Sequence, residues 1–126
     1  MKKKYLDLMS SLHKSTKRDY LARVNDKKFP KFKAATLAKK YDFDYWDGDR
    51  KINYGGYYYK PGYWTSVAKK MIKKYKLNSK SKILDIGCGK GFLLYELKKI
   101  LYSKHIYGVD ISKYAIKNSH PEVKSN

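Results

Sequence analysis

The sequence predicts an α/β fold, and three stretches predict it. KILDI, residues 82–86, is a short apolar run of the kind that fills a buried parallel strand. HIYGVD, residues 105–110, is a second such run. Between them a turn with three glycines in five residues runs straight into GFLLYELKKIL, where Leu93, Leu94, Leu97, Ile100 and Leu101 share one helical face. Strand, tight turn, helix and strand make a βαβ unit, whose crossover is right-handed almost by necessity. ISKYAIKNS then opens another helix, with Ser112 as its cap.

The chain ahead of this unit divides into segments of different character. Residues 1–40 form a basic helical segment, with 13 Lys and Arg against three Asp. Tyr5, Leu8, Met9 and Leu12 recur at helix spacing, and Tyr20, Leu21 and Val24 do so again after Thr16 with Asp19 three residues on. Pro30 separates a third piece, KFKAATLAKKY, rich in good helix formers. Residues 41–64, YDFDYWDGDRKINYGGYYYKPGYW, hold half of the 14 tyrosines and both tryptophans, broken into turns by Gly48, Gly55, Gly56, Pro61 and Gly62. So aromatic a lead-in is expected to lie against the domain behind it, either as plain packing or as the wall of a ligand pocket. Residues 65–126 form the α/β unit, entered through a helix in TSVAKKMIKKYKLN. Val67, Ala68, Met71, Ile72 and Tyr75 make its buried face, Lys69, Lys70, Lys73, Lys74 and Lys76 its solvated one, and Asn78 its stop signal.

Composition narrows the function classes. The 126 residues suffice for one domain at most, and 42% hydrophobic with 33% charged residues is a globular balance. There is no apolar run near the ~18 residues of a membrane span, and no secretory h-region follows the N-terminus. The single cysteine, Cys88, excludes an internal disulfide and suits a reducing compartment, so the expected location is the cytoplasm. His13, His105 and His120 are scattered, and no metal site is expected. The net charge of +19 is compatible with an anionic partner, but the lysines are spread along the chain where helix surfaces fall.

The glycine loop carries the chemistry. A strand that ends in glycines and turns into a helix aims backbone N–H groups at whatever lies above it. Gly87 permits a conformation a side chain forbids, Gly89 allows a ligand to approach the main chain, and Gly91 allows close helix packing. Asp110 ends the second strand beside the loop, at the spacing of about 20 residues at which a carboxylate binds both ribose hydroxyls. A dinucleotide fingerprint needs glycine where this chain has Phe92, and the phosphate-binding P-loop pattern has no match. Asp85 precedes the loop at the end of an apolar strand, where a carboxylate requires a partner: loop N–H groups or a ligand ammonium.

LDIGCGKG followed by YGVDIS resembles the class I S-adenosylmethionine-dependent methyltransferases. The aromatic lead-in is similar to that of a group of bacterial methyltransferases loosely associated with surface-polysaccharide genes. The resemblance implies a Rossmann-like fold, S-adenosylmethionine as cofactor, a loop made by Asp85, Gly87, Gly89 and Gly91, ribose on Asp110 and adenine beside Ile111. It covers residues 65–126, fewer than that fold requires, so the chain is expected to be the N-terminal part of a longer enzyme and inactive alone. Methyl transfer relies chiefly on orientation, and no catalytic base is assignable; His105 begins a strand and His120 precedes Pro121. If the aromatic stretch closes over the cofactor, Tyr54, Tyr57 and Tyr59 are the rings to test first. The favoured acceptor is a small or saccharide-type molecule. The alternatives are RNA docked on the basic N-terminal helices, or a non-catalytic basic chain binding nucleic acid or an anionic surface.

Overall fold

The computed structural model describes residues 7–12, 19–53 and 58–124. In the N-terminal segment, residues 7–12 form a turn, closed by Leu12 N–H on Met9 O at 2.8 Å, where helix spacing had predicted a helix. Asp7 explains it: its carboxylate takes the N–H groups of Met9 and Ser10, a local competitor of helical bonding. The first helix, α1 (Tyr20–Val24), is capped by Asp19 itself, which accepts from Ala22 N at 2.9 Å. Tyr5 and Thr16 lie outside the described residues. Helix α2 (Lys31–Ala38) starts directly after Pro30, as the sequence predicts. A short helix that the sequence reading did not predict, α3 (Phe43–Trp46), lies in the aromatic lead-in and is capped by Asp42.

Helix α4 (Thr65–Tyr75) buries Val67 and Ala68 and turns Lys69, Lys73 and Lys74 to solvent. Its end differs from expectation. Tyr75 is exposed, and the stop is Lys76 in a left-handed conformation, with Leu77 N–H on Ile72 O. Asn78 instead organises the next turn, accepting from Lys80 N and donating to the Ser81 hydroxyl.

Strands β1 (Ile83–Ile86) and β2 (Ile106–Val109) pair in parallel, Ile83 with Ile106 and Asp85 with Gly108, joined by α5 (Phe92–Leu101). Helix α6 (Lys113–Lys117) and a 3-10 turn at Pro121–Val123 follow. The core is the layer between sheet and helices: Ala68, Leu94, Leu97, Leu101, Ile106 and Val123, with Ile72, Leu77, Ile83 and Ile100 at its edge. The βαβ unit is therefore where the apolar pattern places it.

The strands differ from the expected buried ones in one respect. Ile83 and Ile106 face α5, whereas Leu84, Ile86, Tyr107 and Val109 line the opposite face, all exposed, Ile86 at 80%. Among the described residues nothing covers that face. Strand alternation puts the apolar run on both sides of the sheet, but helices pack on only one.

Candidate functional site

The site is the turn between β1 and α5. Gly87, Gly89 and Gly91 all have positive φ, at +83°, +57° and +73°, so the turn is one that L side chains rarely adopt. Four of its N–H groups are turned inward, not outward as expected. Gly87 and Cys88 both donate to Val109 O, Gly89 donates to Asp110 Oδ2 at 2.8 Å, and Gly91 donates to Cys88 O. The loop spends these donors on its own architecture, because β2 ends beside it and supplies the acceptors.

Each glycine has a different neighbour. A Cβ on Gly87 would meet nothing within 4 Å, so this glycine faces open space. A Cβ on Gly89 would stand 2.7 Å from Trp46 Cη2, so what approaches the main chain there is an indole of the same chain, not the space expected for a ligand. At Gly91 the close neighbour is Val123 Cγ2, also at 2.7 Å; the glycine admits the C-terminal turn rather than the packing of α5 on its own strand.

Asp110 is fixed from two sides, accepting from Gly89 N on one oxygen and from Ser112 N, at 2.7 Å, on the other. A carboxylate has about four lone-pair sites, so each oxygen retains capacity for a ligand hydroxyl. Ser112 is more than the helix cap the sequence predicts. Its hydroxyl accepts from Ala115 N at 3.0 Å and from Trp46 Nε1 at 2.8 Å and donates to Tyr41 O. That uses its donor and both acceptor sites, and latches the lead-in to the end of β2. A second latch is the buried Lys90, whose ammonium lies 2.7 Å from both oxygens of Asp47, with Tyr114 OH on the same carboxylate at 2.8 Å.

Asp85 is different. It is half-buried, and among the described residues no donor reaches its carboxylate. Burial, and then the Asp110 carboxylate, push its pKa above the usual 3.8. The same two carboxylates, after burial itself, help raise the Cys88 thiol to about 11, so this cysteine is protonated at neutral pH and is no nucleophile.

A cleft of about 1420 Å³ opens in front of the loop. Asp85, Gly87, Cys88 and Gly89 line it from the loop, and Tyr45, Trp46, Arg50, Asn53, Tyr63 and Trp64 are among the residues that line it from the lead-in. Of the six site residues predicted from sequence, Asp85, Gly87 and Gly89 thus line one cavity. Asp110 stands behind Gly89, Gly91 is closed off beneath Val123, and Ile111 is 82% exposed and off the cleft walls.

Of the rings singled out in the lead-in, Tyr54 and Tyr57 lie outside the described residues. Tyr59 is an anchor rather than a cleft residue. Its hydroxyl donates at 2.6 Å to Glu96, which is only 2% exposed and also accepts from Thr65 Oγ1 at 2.8 Å. The Glu96 bond, then burial, drives the Tyr59 phenol to about 12. His120 stacks on Tyr95 at 3.8 Å, its Nδ1 accepts from Glu122 N, and burial lowers its pKa. Trp46, Asp47, Lys90 and Asn53 were missed in the sequence. Trp46 was counted among the aromatics, but no spacing distinguishes the ring that meets the loop.

Two parallel strands joined by a helix, with a glycine turn bonded to the acid that ends the second strand, define an α/β protein with its site at the carboxyl ends of the strands. Residues 77–126 match the family model of a methyltransferase domain, which supports a methyltransferase. Neither the curated proteins nor the solved structures gave a match.

Proposed function

We propose that the chain carries the cofactor-binding part of a class I, Rossmann-like methyltransferase that uses S-adenosylmethionine and acts on a small-molecule or saccharide-type acceptor. The observation that carries this reading is Asp85: a half-buried carboxylate without a donor among the described residues, close to the open face of Gly87, inside the segment that matches the methyltransferase domain. Such a group is completed by a cationic ligand. An amino-acid ammonium meets that requirement, and a nucleoside ribose meets the remaining acceptor capacity of Asp110. In this reading Asp85 holds the ammonium and Gly87 lets the ligand reach the main chain. Gly89 and Gly91 keep the turn in shape, Asp110 binds ribose, and Ile111 borders adenine.

When bound, the cofactor supplies an electrophilic methyl group on a sulfonium for an oxygen, nitrogen or carbon nucleophile. The chain's own residues orient and enclose. Trp46 and Lys90 hold the lead-in against the loop, and the aromatic wall excludes water. Cys88 takes no part, because its thiol is protonated. His120 is occupied by its stack and its Glu122 contact, and no base is assigned.

The test is a calorimetric titration of the chain with S-adenosylhomocysteine. One-to-one binding is expected. Asp110→Ala removes charge-assisted bonds worth roughly 1.5–3 kcal/mol and should weaken binding about ten- to a hundredfold. No binding by the wild-type chain sinks the cofactor reading; unchanged affinity in Asp110→Ala misplaces the ribose.

A further inference from the structure

The cleft holds more than the loop requires. At about 1420 Å³ it exceeds the 300–1,000 Å³ that a single small ligand occupies, which leaves room for a second molecule in front of the cofactor loop. The wall that the lead-in contributes has three features that nothing in the fold explains. The first is Asn53. Its Nδ2 donates to Gly48 O at 2.7 Å, which fixes the orientation of the amide and leaves Oδ1 as the other end. That oxygen is buried, accepts no hydrogen bond, and is the one such side-chain atom among the described residues. A buried acceptor left unpaired is costly, which marks it as the place for a donor from outside the chain.

The second feature is charge. Five cations line the cleft, and three are bound to oxygen atoms of their own chain. Lys51 is paired with Asp26, Lys90 is paired with Asp47, and the Arg23 guanidinium donates to Lys51 O. Arg50 and Lys60 have no carboxylate within ion-pair distance among the described residues; the Lys60 ammonium lies over the Tyr58 ring at 5.0 Å. The acids of the same cleft are already assigned, Asp19 to the α1 cap and Asp26 to Lys51, while Asp85 lies on the loop side. The third feature is apolar. Tyr63 and Trp64 form an edge-to-face pair, centroids 5.6 Å apart, and both line the cleft. Aromatic faces of this kind receive flat or ring-shaped molecules with an apolar side.

We infer that this wall is the seat of the methyl acceptor, and that it selects a small anionic ring compound, bearing a phosphate or carboxylate for Arg50 and Lys60 and a hydroxyl or amine that donates to Asn53 Oδ1. This deepens the methyltransferase reading and rests on it. The donor held by Asn53 belongs to the group being positioned, so Asn53 is a positioning residue, and Arg50 and Lys60 set specificity. In transfer to an oxygen or nitrogen acceptor the X–H nucleophile forms the X–C bond, the C–S bond breaks onto sulfur, and the proton leaves to water.

The experiment is a calorimetric titration of the full chain, first saturated with S-adenosylhomocysteine, using glucose 1-phosphate, glucuronate and glucose as probes. Binding of at least one anionic probe, with glucose at least tenfold weaker, is expected, and phosphate is distinguished from carboxylate by which probe binds. Arg50→Ala should weaken the anionic probe about tenfold, with Arg50→Lys restoring most of it. Asn53→Ala should weaken anionic probe and glucose by the same factor while S-adenosylhomocysteine affinity stays unchanged, a pattern a mere folding defect does not give. Urea midpoints of each variant separate loss of fold from loss of contact. Equal binding of inorganic phosphate and the anionic probe, probe affinities indifferent to Arg50 and Asn53, or no binding of any probe overturns the proposal. Failure to bind S-adenosylhomocysteine overturns the cofactor reading instead, and the same probes titrated without it then test the acceptor wall alone.

Discussion

Asp85 is held above its ordinary pKa of 3.8 by partial burial and by the neighbouring Asp110 carboxylate, and the direction of that shift fixes two pH dependences. A raised pKa means that the folded chain keeps a proton the unfolded chain has released. The stability contributed by this group is fully present below about 3.8 and is lost as pH rises through the raised value. Asp85→Asn is therefore expected to raise the urea midpoint at pH 7 and to leave it unchanged at pH 3.5. Under the proposed function, cofactor affinity should run the other way, because a protonated Asp85 cannot hold an ammonium. Affinity for S-adenosylmethionine should fall as pH drops through the raised pKa, and Asp85→Asn should lose both the affinity and the pH dependence. Calorimetry from pH 4.5 to 8 reads both. Asp26 has the opposite sign: its hydrogen bond from Lys51 draws it down to about 2, so its contribution is present above 3.8 and is lost as pH falls through about 2.

At the scale of elements, the β1–α5 turn and the lead-in form one unit, since Trp46 fills the space beside Gly89. Gly89→Ala drives a Cβ to 2.7 Å from the indole at φ +57°, and both clash and strain should destabilise the chain by about 1–3 kcal/mol. Gly87→Ala meets no atom within 4 Å and carries the backbone strain alone, about 1 kcal/mol. The ligand reading reverses the order for binding: Gly87→Ala should cost more cofactor affinity than stability. Urea melts beside S-adenosylhomocysteine titrations of the two variants check this, and equal losses in both readouts would count against an open face at Gly87. Glu96 is the other fastener, tying Tyr59 and Thr65 to α5. Glu96→Ala leaves the half-buried Thr65 and Tyr59 hydroxyls without their acceptor and should lower stability by roughly 2–4 kcal/mol.

For the whole molecule, two surface features dominate: the net charge of +19 and the uncovered sheet face of Leu84, Ile86, Tyr107 and Val109. Contiguous apolar surface of this kind binds hydrophobic dyes. The double substitution Leu84→Thr with Ile86→Thr should reduce dye fluorescence several-fold and leave S-adenosylhomocysteine affinity unchanged, because both side chains point away from the cleft. The charge has its own test. Cofactor uptake should change little between 50 and 200 mM salt, whereas association with RNA through several phosphates should weaken ~10³-fold. Among the described residues no helix is long and apolar enough to cross a membrane.

The sequence alone determined the βαβ unit, the order of its elements, the left-handed glycine turn and the Ser112 cap. These are set by local patterns: apolar period, glycine spacing and side-chain capping act within a few residues of chain. Local pattern also brought Asp85, Gly87 and Gly89 to one place, because the end of a strand and the turn after it are contiguous. Only the tertiary structure decided which neighbour each glycine admits, how Trp46, Ser112 and Tyr41 interlock, and that Lys90 pairs with Asp47. Those partners lie 43 or more residues apart in the chain. It decided likewise that Tyr59 anchors Glu96, that Asn53 Oδ1 is left unpaired beside a cleft, and that one side of each strand stays open. Contacts between distant segments depend on how whole elements pack, and periodicity within a segment carries no record of the surface it will meet.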